Sequence, residues 1–327
     1  RGLMRFRFPL RIILFALAAL VLSAVEGCAP IPATTPAPDS PSPSAIQTPN
    51  ATQAARPRVL RINLGTRPDL LDPQRASSNS EIAILQLAYE GLTRWDSQGR
   101  VVPGAADRWE FSNEGKTLTF HLRAGLKRAD GAPIVAKDFE FAFKRALDPR
   151  LGGVDASFLD DVTGAIAAYT LDPKSRPDHI QRALDAVAVQ ATDEATLVFS
   201  FVRPAGYFPT VAATWLGYPT EKPKVESDPD AWWFKPENHN SNGLFLIKEN
   251  QDQFLKVVPN PNYWGAKPKL DRIEFYWITD ANAALDAYRQ SNLEVLRLSA
   301  DDLSVAQADV ALAKEIAAGY SDMAQAE

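Results

Sequence analysis

Paired carboxylates are the residues of this chain whose type and spacing could do chemistry: Asp160-Asp161, and Glu226 with Asp228. An acid–base pair would need one carboxyl held protonated and the other ionised, close to a reacting group. Both pairs stand in polar stretches, where acidic side chains are ordinarily just solvated, and no base–nucleophile constellation accompanies either. The 3 histidines are scattered, and the single cysteine, Cys28, excludes an intrachain disulfide and gives no metal-ligand cluster. We expect no enzyme: no catalytic residue, no metal and no cofactor. A formal net charge of −5 over 327 residues is mild and lacks the basic stripe that a nucleic-acid partner requires. The 46% hydrophobic content is enough for a sizeable core in a chain longer than one ordinary domain.

The elements that must position any site are clearest between Thr117 and Pro149. Leu118, Phe120 and Leu122 alternate with Thr117, Thr119, His121 and Arg123, the period of two expected of a strand with one buried face. Asp130-Gly131 supplies a tight turn. From Lys137 the period lengthens, with Phe139, Phe143 and Ala146 at helical spacing and Phe141 and Ala142 widening the apolar face. Asp138 in the first turn and Lys144 and Arg145 in the last complement the helix dipole, and Asp148-Pro149 ends the helix.

The residues of this stretch are more specific than their pattern. Phe120, Leu122, Arg123, Gly125, Asp130, Gly131, Pro133, Ala136, Asp138, Phe139 and Arg145 fall in the order of a signature of the family 5 extracellular solute-binding proteins, the receptors of peptide-type ABC importers, which the chain resembles. Arg128 stands where that family usually has Trp, and Val135 where it has a Thr suited to capping a helix. Further segments follow the family in order: Leu71-Asp72-Pro73, Glu90-Gly91-Leu92, Val102-Pro103-Gly104, Ser241-Asn242-Gly243 and Asn260-Pro261-Asn262-Tyr263-Trp264. Around them, VLRINLG (59–65) and 270–278 read as strands, Glu81–Tyr89 as a helix with Ile82, Leu85 and Tyr89 on one face, and 303–318 as an alanine-rich helix. Trp232 and Trp233 read as packed aromatics.

Residues 1–28 have the plan of an export signal: Arg5, Arg7 and Arg11, then an apolar run from Ile12 to Val25, too short to span a bilayer. Gly27-Cys28 ends it in a sequence similar to a lipobox, so Cys28 is the expected lipidation site. Residues 29–57, rich in Pro, Ser and Thr, cannot bury enough surface to offset their ordering entropy and should form a disordered tether. Residues 58–296 are then the N-terminal region of the resemblance, a first lobe and a small extra domain, and 297–327 begin a second lobe. The resemblance implies an α/β fold of class II periplasmic-binding-protein type, with mixed sheets. Its second lobe is largely missing here, and we expect a C-terminally truncated product.

What the resemblance implies for function is capture without chemistry. A peptide or related solute lies between two lobes that close by a hinge and is handed to ABC permease subunits. The receptor is a monomer, lipid-anchored through Cys28 on the extracytoplasmic face of the membrane or in the periplasm. An accessory surface lipoprotein using the same partial fold as an interaction module is the alternative. Matched onto this chain, the ligand-facing positions are Ser77, Ser78 and Asn79, whose main chain would pair with the ligand; Asp155, which would favour a cationic group; and Arg297, Leu298 and Ser299 beyond the last strand.

Overall fold

The computed structural model describes residues 57–298 and 300–316. The expected signal peptide with Cys28, almost all of the expected tether, Ser299 and the end of the expected 303–318 helix lie outside the described residues. The chain runs from β1 (Val59–Asn63) through α1 (Asn79–Ala88) to β2 (Thr93–Trp95), β3 (Val101–Pro103), β4 (Ala106–Ser112) and β5 (Thr117–Leu122). It continues through α2 (Ala136–Ala146), α3 (Ala165–Tyr169), α4 (Pro177–Asp185), β6 (Val189–Ala191), β7 (Thr196–Ser200) and α5 (Phe208–Val211). Then come α6 (Lys222–Ser227), α7 (Pro236–His239), β8 (Phe245–Asn250), β9 (Phe254–Pro259), β10 (Arg272–Tyr276), α8 (Ala281–Arg289), β11 (Val295–Leu296) and α9 (Ala300–Ala308).

One sheet is mixed and five-stranded, in the order β11-β1-β10-β9-β8. Here β1 runs parallel to both β10 and β11, while β9 is antiparallel to β10 and β8. The VLRINLG strand and the strand that follows Asn242 are therefore built into one mixed sheet, as the resemblance implies. A second sheet is antiparallel, in the order β4-β5-β7-β6.

Each sheet carries its own core. In the antiparallel sheet, Leu118, Phe120 and Leu122 of β5 are buried and their neighbours are not, so the alternation read from the sequence is the observed one. Phe139 and Phe143 of α2 close this core, with Phe199 at its centre, 5.0 Å from the Phe143 ring edge-on and 4.8 Å from Phe208. Gly131 turns the chain between β5 and α2 at a φ of 90°, which costs a glycine little. Val135 provides no capping side chain; the Asp138 carboxylate instead accepts the Val135 N–H at 3.0 Å.

The mixed sheet packs its Phe245, Ile247, Leu255, Val257, Ile273 and Phe275 against α1 and Tyr89. The buried stripe of α1 is Glu81, Ile84, Leu85 and Ala88, so Ile84 takes the inward place expected of Ile82, which is only half-buried. Glu81 sets this rotation, because its carboxylate is drawn inward to accept main-chain N–H groups. A third, small cluster joins Leu285, Ala306 and Leu312, with Leu296 and Leu298 against it. The helix expected over 303–318 is α9, which stops at Ala308; Asp309 turns back to accept the N–H groups of Ala311 (2.9 Å) and Leu312 (3.3 Å). Among the described residues no helix is long and apolar enough to cross a membrane.

Candidate functional site

Ser77, Ser78 and Asn79 form an exposed segment at the N-terminus of α1. Ser78 is the N-cap: its Oγ accepts the Glu81 N–H at 3.3 Å, and the Glu81 carboxylate accepts the N–H groups of Ser78 (3.0 Å), Ser77 (3.1 Å) and Leu70 (3.0 Å). The Ser78 carbonyl accepts the Ile82 N–H within the helix. Among the described residues, that leaves the Ser77 carbonyl and the Asn79 N–H without a partner, one acceptor and one donor on an exposed main chain. The capping pattern Ser-x-x-Glu at 78–81 was present in the sequence and is the signal by which Glu81 could have been found.

This segment is anchored from behind. Asp72 is fully buried, and Arg145 of α2 donates to both of its carboxylate oxygens at 2.6 Å. Trp232 Nε1 donates to the same carboxylate at 3.2 Å, so Trp232 is a packed aromatic with a polar duty, while Trp233 is half-buried beneath the Arg75 guanidinium. Gln74 binds the Leu216 and Tyr218 carbonyls at 3.2 and 3.1 Å and accepts from Arg145 at 2.9 Å.

Asp155 is brought to the same neighbourhood. In its loop, a Cβ on Gly153 would stand 3.0 Å from the Gln74 carbonyl, so the loop lies against the chain leading into Ser77. Asp155 is half-buried at the start of a 3-10 turn, Ala156–Leu159. Burial pushes its carboxyl above the ordinary range, and the nearby Trp215 indole N–H, which makes no close hydrogen bond, opposes that rise. Arg297 and Leu298 stand elsewhere: Arg297 is exposed beyond β11, and Leu298 packs on the third cluster. Among the described residues no hydrogen bond or ion pair joins them to Ser77–Asn79 or Asp155.

The remaining motif residues fasten one core to the other. Glu90 accepts from the Tyr263 hydroxyl at 2.6 Å and from the Trp264 indole N–H, while the Asn242 amide bridges the Glu90 main chain, accepting at 3.0 Å and donating at 2.9 Å. Burial raises the Glu90 carboxyl, and the bonds from Tyr263 and Trp264 work against the rise. Arg128, in the place of a Trp, is buried and pairs with Asp138 at 2.6 Å. In the carboxylate pairs, Asp161 binds the Tyr207 hydroxyl (2.7 Å) and Arg203 (2.6 Å), Asp160 binds the Tyr169 hydroxyl (2.7 Å), and Glu226 is exposed beside Lys222. Among the described residues no group of three His, Cys, Asp or Glu side chains could hold a metal ion.

His239 lies under this joint, with Nε2 donating to the Trp233 carbonyl at 2.8 Å and Nδ1 3.0 Å from the Tyr89 hydroxyl. Burial lowers its pKa from 6.5 to about 4, so the ring is neutral in the fold. Between those values the unfolded chain binds a proton that the folded chain does not. Acidification through that window should therefore cost stability by about 1.4 kcal/mol per pH unit from this residue. A ring titration followed by NMR should give a midpoint near 4; a midpoint at the ordinary value would refute the buried neutral ring.

Comparison with known proteins decides what this arrangement belongs to. Residues 100–323 match the model of the bacterial extracellular solute-binding proteins, family 5 Middle. The chain belongs to this family. Among family relatives, the periplasmic murein peptide-binding protein MppA of Escherichia coli is 32% identical over 253 residues, which are 77% of this chain and 45% of MppA. The probable deoxycholate-binding periplasmic protein YgiS of the same organism is 30% identical over 261 residues, 79% of this chain and 47% of YgiS. The Escherichia coli MppA structure superimposes with a TM-score of 0.69 at 31% identity, covering 78% of this chain and 49% of that one. The Haemophilus influenzae OppA complex with RPPGFSPFR does so with a TM-score of 0.69 at 28% identity, covering 77% and 48%. The chain thus spans about half the length of the family 5 proteins it matches, and its mixed α/β architecture is that of the class II periplasmic-binding-protein fold.

Proposed function

We propose that the protein is the solute receptor of an ABC importer, holding an extended peptide or a related solute between two lobes without altering it. The mixed-sheet core belongs to the first lobe and the antiparallel-sheet core to the small extra domain, within 58–296. Residues 297–327, with Arg297, Leu298 and Ser299, lead into the second lobe. The observation that carries this reading is the exposed main chain at Ser77–Asn79, where Glu81 has already taken the N–H groups of Ser77 and Ser78. A ligand strand laid there meets the Ser77 carbonyl and the Asn79 N–H. Such main-chain pairing gives affinity that does not depend on ligand sequence. Asp155, beside this segment, adds a preference for cationic or amine-bearing solutes, and Cys28 tethers the receptor to the membrane surface near its permease. The relatives support the class of ligand: MppA is named for murein peptides, an OppA is bound to a peptide, and YgiS is named for deoxycholate, a solute that is not a peptide.

Calorimetry with tripeptides matched in size tests this. A Lys-containing tripeptide is expected to bind roughly tenfold more tightly than its Glu counterpart. Asp155→Asn should erase the difference while leaving sequence-independent affinity in place. Equal affinities in the original protein would remove Asp155 from the site, and turnover of any of these peptides would overturn the receptor reading itself.

A further inference from the structure

A cavity of about 440 Å³ opens beside Asn240 and includes none of Ser77, Ser78, Asn79 or Asp155. That volume lies in the range of small-molecule sites, roughly 300–1,000 Å³. Charge reaches it from three different elements: Lys224 from α6, Glu237 from α7 and Lys248 from β8. Two nearby carboxylates are already committed, Asp130 on the wall and Glu221 beside it, both to the Asn240 amide. Lys224, Glu237 and Lys248 are not: among the described residues none of the three is in an ion pair. Lys224 is half-buried, where an unpaired ammonium loses hydration without gaining a partner.

Two local features make this more than a surface dent. Lys248 falls at the break in register between Ile247 and Glu249, a bulge that lifts it out of the β8–β9 ladder, the device by which strands re-aim a side chain. Ser241, on the cavity wall, is 1% exposed, and its Oγ has no hydrogen-bond partner. A buried hydroxyl without a partner is uncommon in folded proteins and marks a place where a polar group is missing. The wall between the charges is apolar, with Pro236, Leu246 and Ile247 contributing to it.

We infer that this cavity is a second binding site, for a small zwitterion with an apolar body, such as a free aliphatic amino acid. Its carboxylate is taken by Lys224 and Lys248, its ammonium by Glu237, and its side chain by the Pro236–Leu246 wall. This site is independent of the peptide-binding reading, since it uses none of Ser77, Ser78, Asn79 or Asp155.

The test uses leucine, N-acetyl-leucine and leucinamide, followed through the backbone amide shifts of the whole protein. Leucine should shift the amides of 236–248 saturably, and both derivatives should bind about tenfold or more weakly, because each lacks one charge. Lys248→Ala and Lys224→Ala should each weaken leucine by about tenfold without lowering the melting temperature. The proposal is overturned by the absence of saturable shifts, by derivatives that bind as leucine does, or by lysine variants that bind normally. Shifts confined to Ser77–Asn79 and Asp155 would overturn it too, while supporting the receptor site described above.

Discussion

Replacing Arg145 by methionine should destabilise the fold by about 3–5 kcal/mol, the range seen when one partner of a buried ion pair is removed. The cause is what remains. Asp72 is 0% exposed, and losing Arg145 strips its carboxylate of both 2.6 Å bonds and leaves the Trp232 N–H as its one strong side-chain donor. Gln74 also loses its 2.9 Å donor. The pair itself need not be strongly stabilising, since desolvation offsets much of its attraction. The double variant Asp72→Asn with Arg145→Met should therefore recover part of the loss. Urea denaturation of the single and double variants measures both effects. A loss below about 1 kcal/mol in the single variant, typical of an exposed pair, would show that the carboxylate is not confined as described. Because Asp72 anchors the chain leading to Ser77, the same variant should loosen the candidate ligand segment.

Local pattern was readable from the sequence where one period dominates. The strand-turn-helix from Thr117 to Ala146 has that quality, since Leu118, Phe120 and Phe143 must share a core whatever surrounds them. On α1 the expected Leu85 and Tyr89 are buried but Ile84 stands in for Ile82, because a hydrophobic pattern takes no account of a buried carboxylate: Glu81 turns inward for its hydrogen bonds and carries the stripe with it. What spacing could not reveal is partnership across the chain. Asp72 and Arg145 are separated by 73 positions, and Glu90 by 173 from Tyr263, yet each set is one polar joint. Some family motif residues, such as Phe120 and Phe139, fill a core, while Asp72, Arg145, Glu90 and Asn242 fasten one core to the other. Spacing likewise could not reveal that the loop carrying Asp155 lies against the chain leading into Ser77, or that Leu298 packs on the third cluster.

The Ser-Asn-Gly segment shows how such a fastener can depend on one missing atom. Gly243→Ala should be as damaging as the loss of Arg145, although it adds only a methyl group. An alanine Cβ there would lie 2.4 Å from the Ala88 carbonyl carbon and 2.5 Å from the Tyr89 nitrogen, both main-chain atoms that cannot swing aside. Relief requires α1 and the start of β8 to separate. Separation breaks the bond from the Gly243 N–H to the Ala88 carbonyl (2.8 Å) and pulls on the Asn242–Glu90 bridge and on the Asn260 bond to the Gly243 carbonyl (2.9 Å). Overpacking costs about 1–3 kcal/mol where side chains can yield, and more where only backbone is available; we expect about 3 kcal/mol or above. Gly206→Ala is the control, because a Cβ there would meet nothing within 4 Å and Gly206 does not hold a positive φ. That change should be neutral or raise stability by up to about 1 kcal/mol through the unfolded state. If thermal unfolding shows the two variants to be equally mild, the close approach of the Ser-Asn-Gly segment to α1 is not what joins the helix to its sheet.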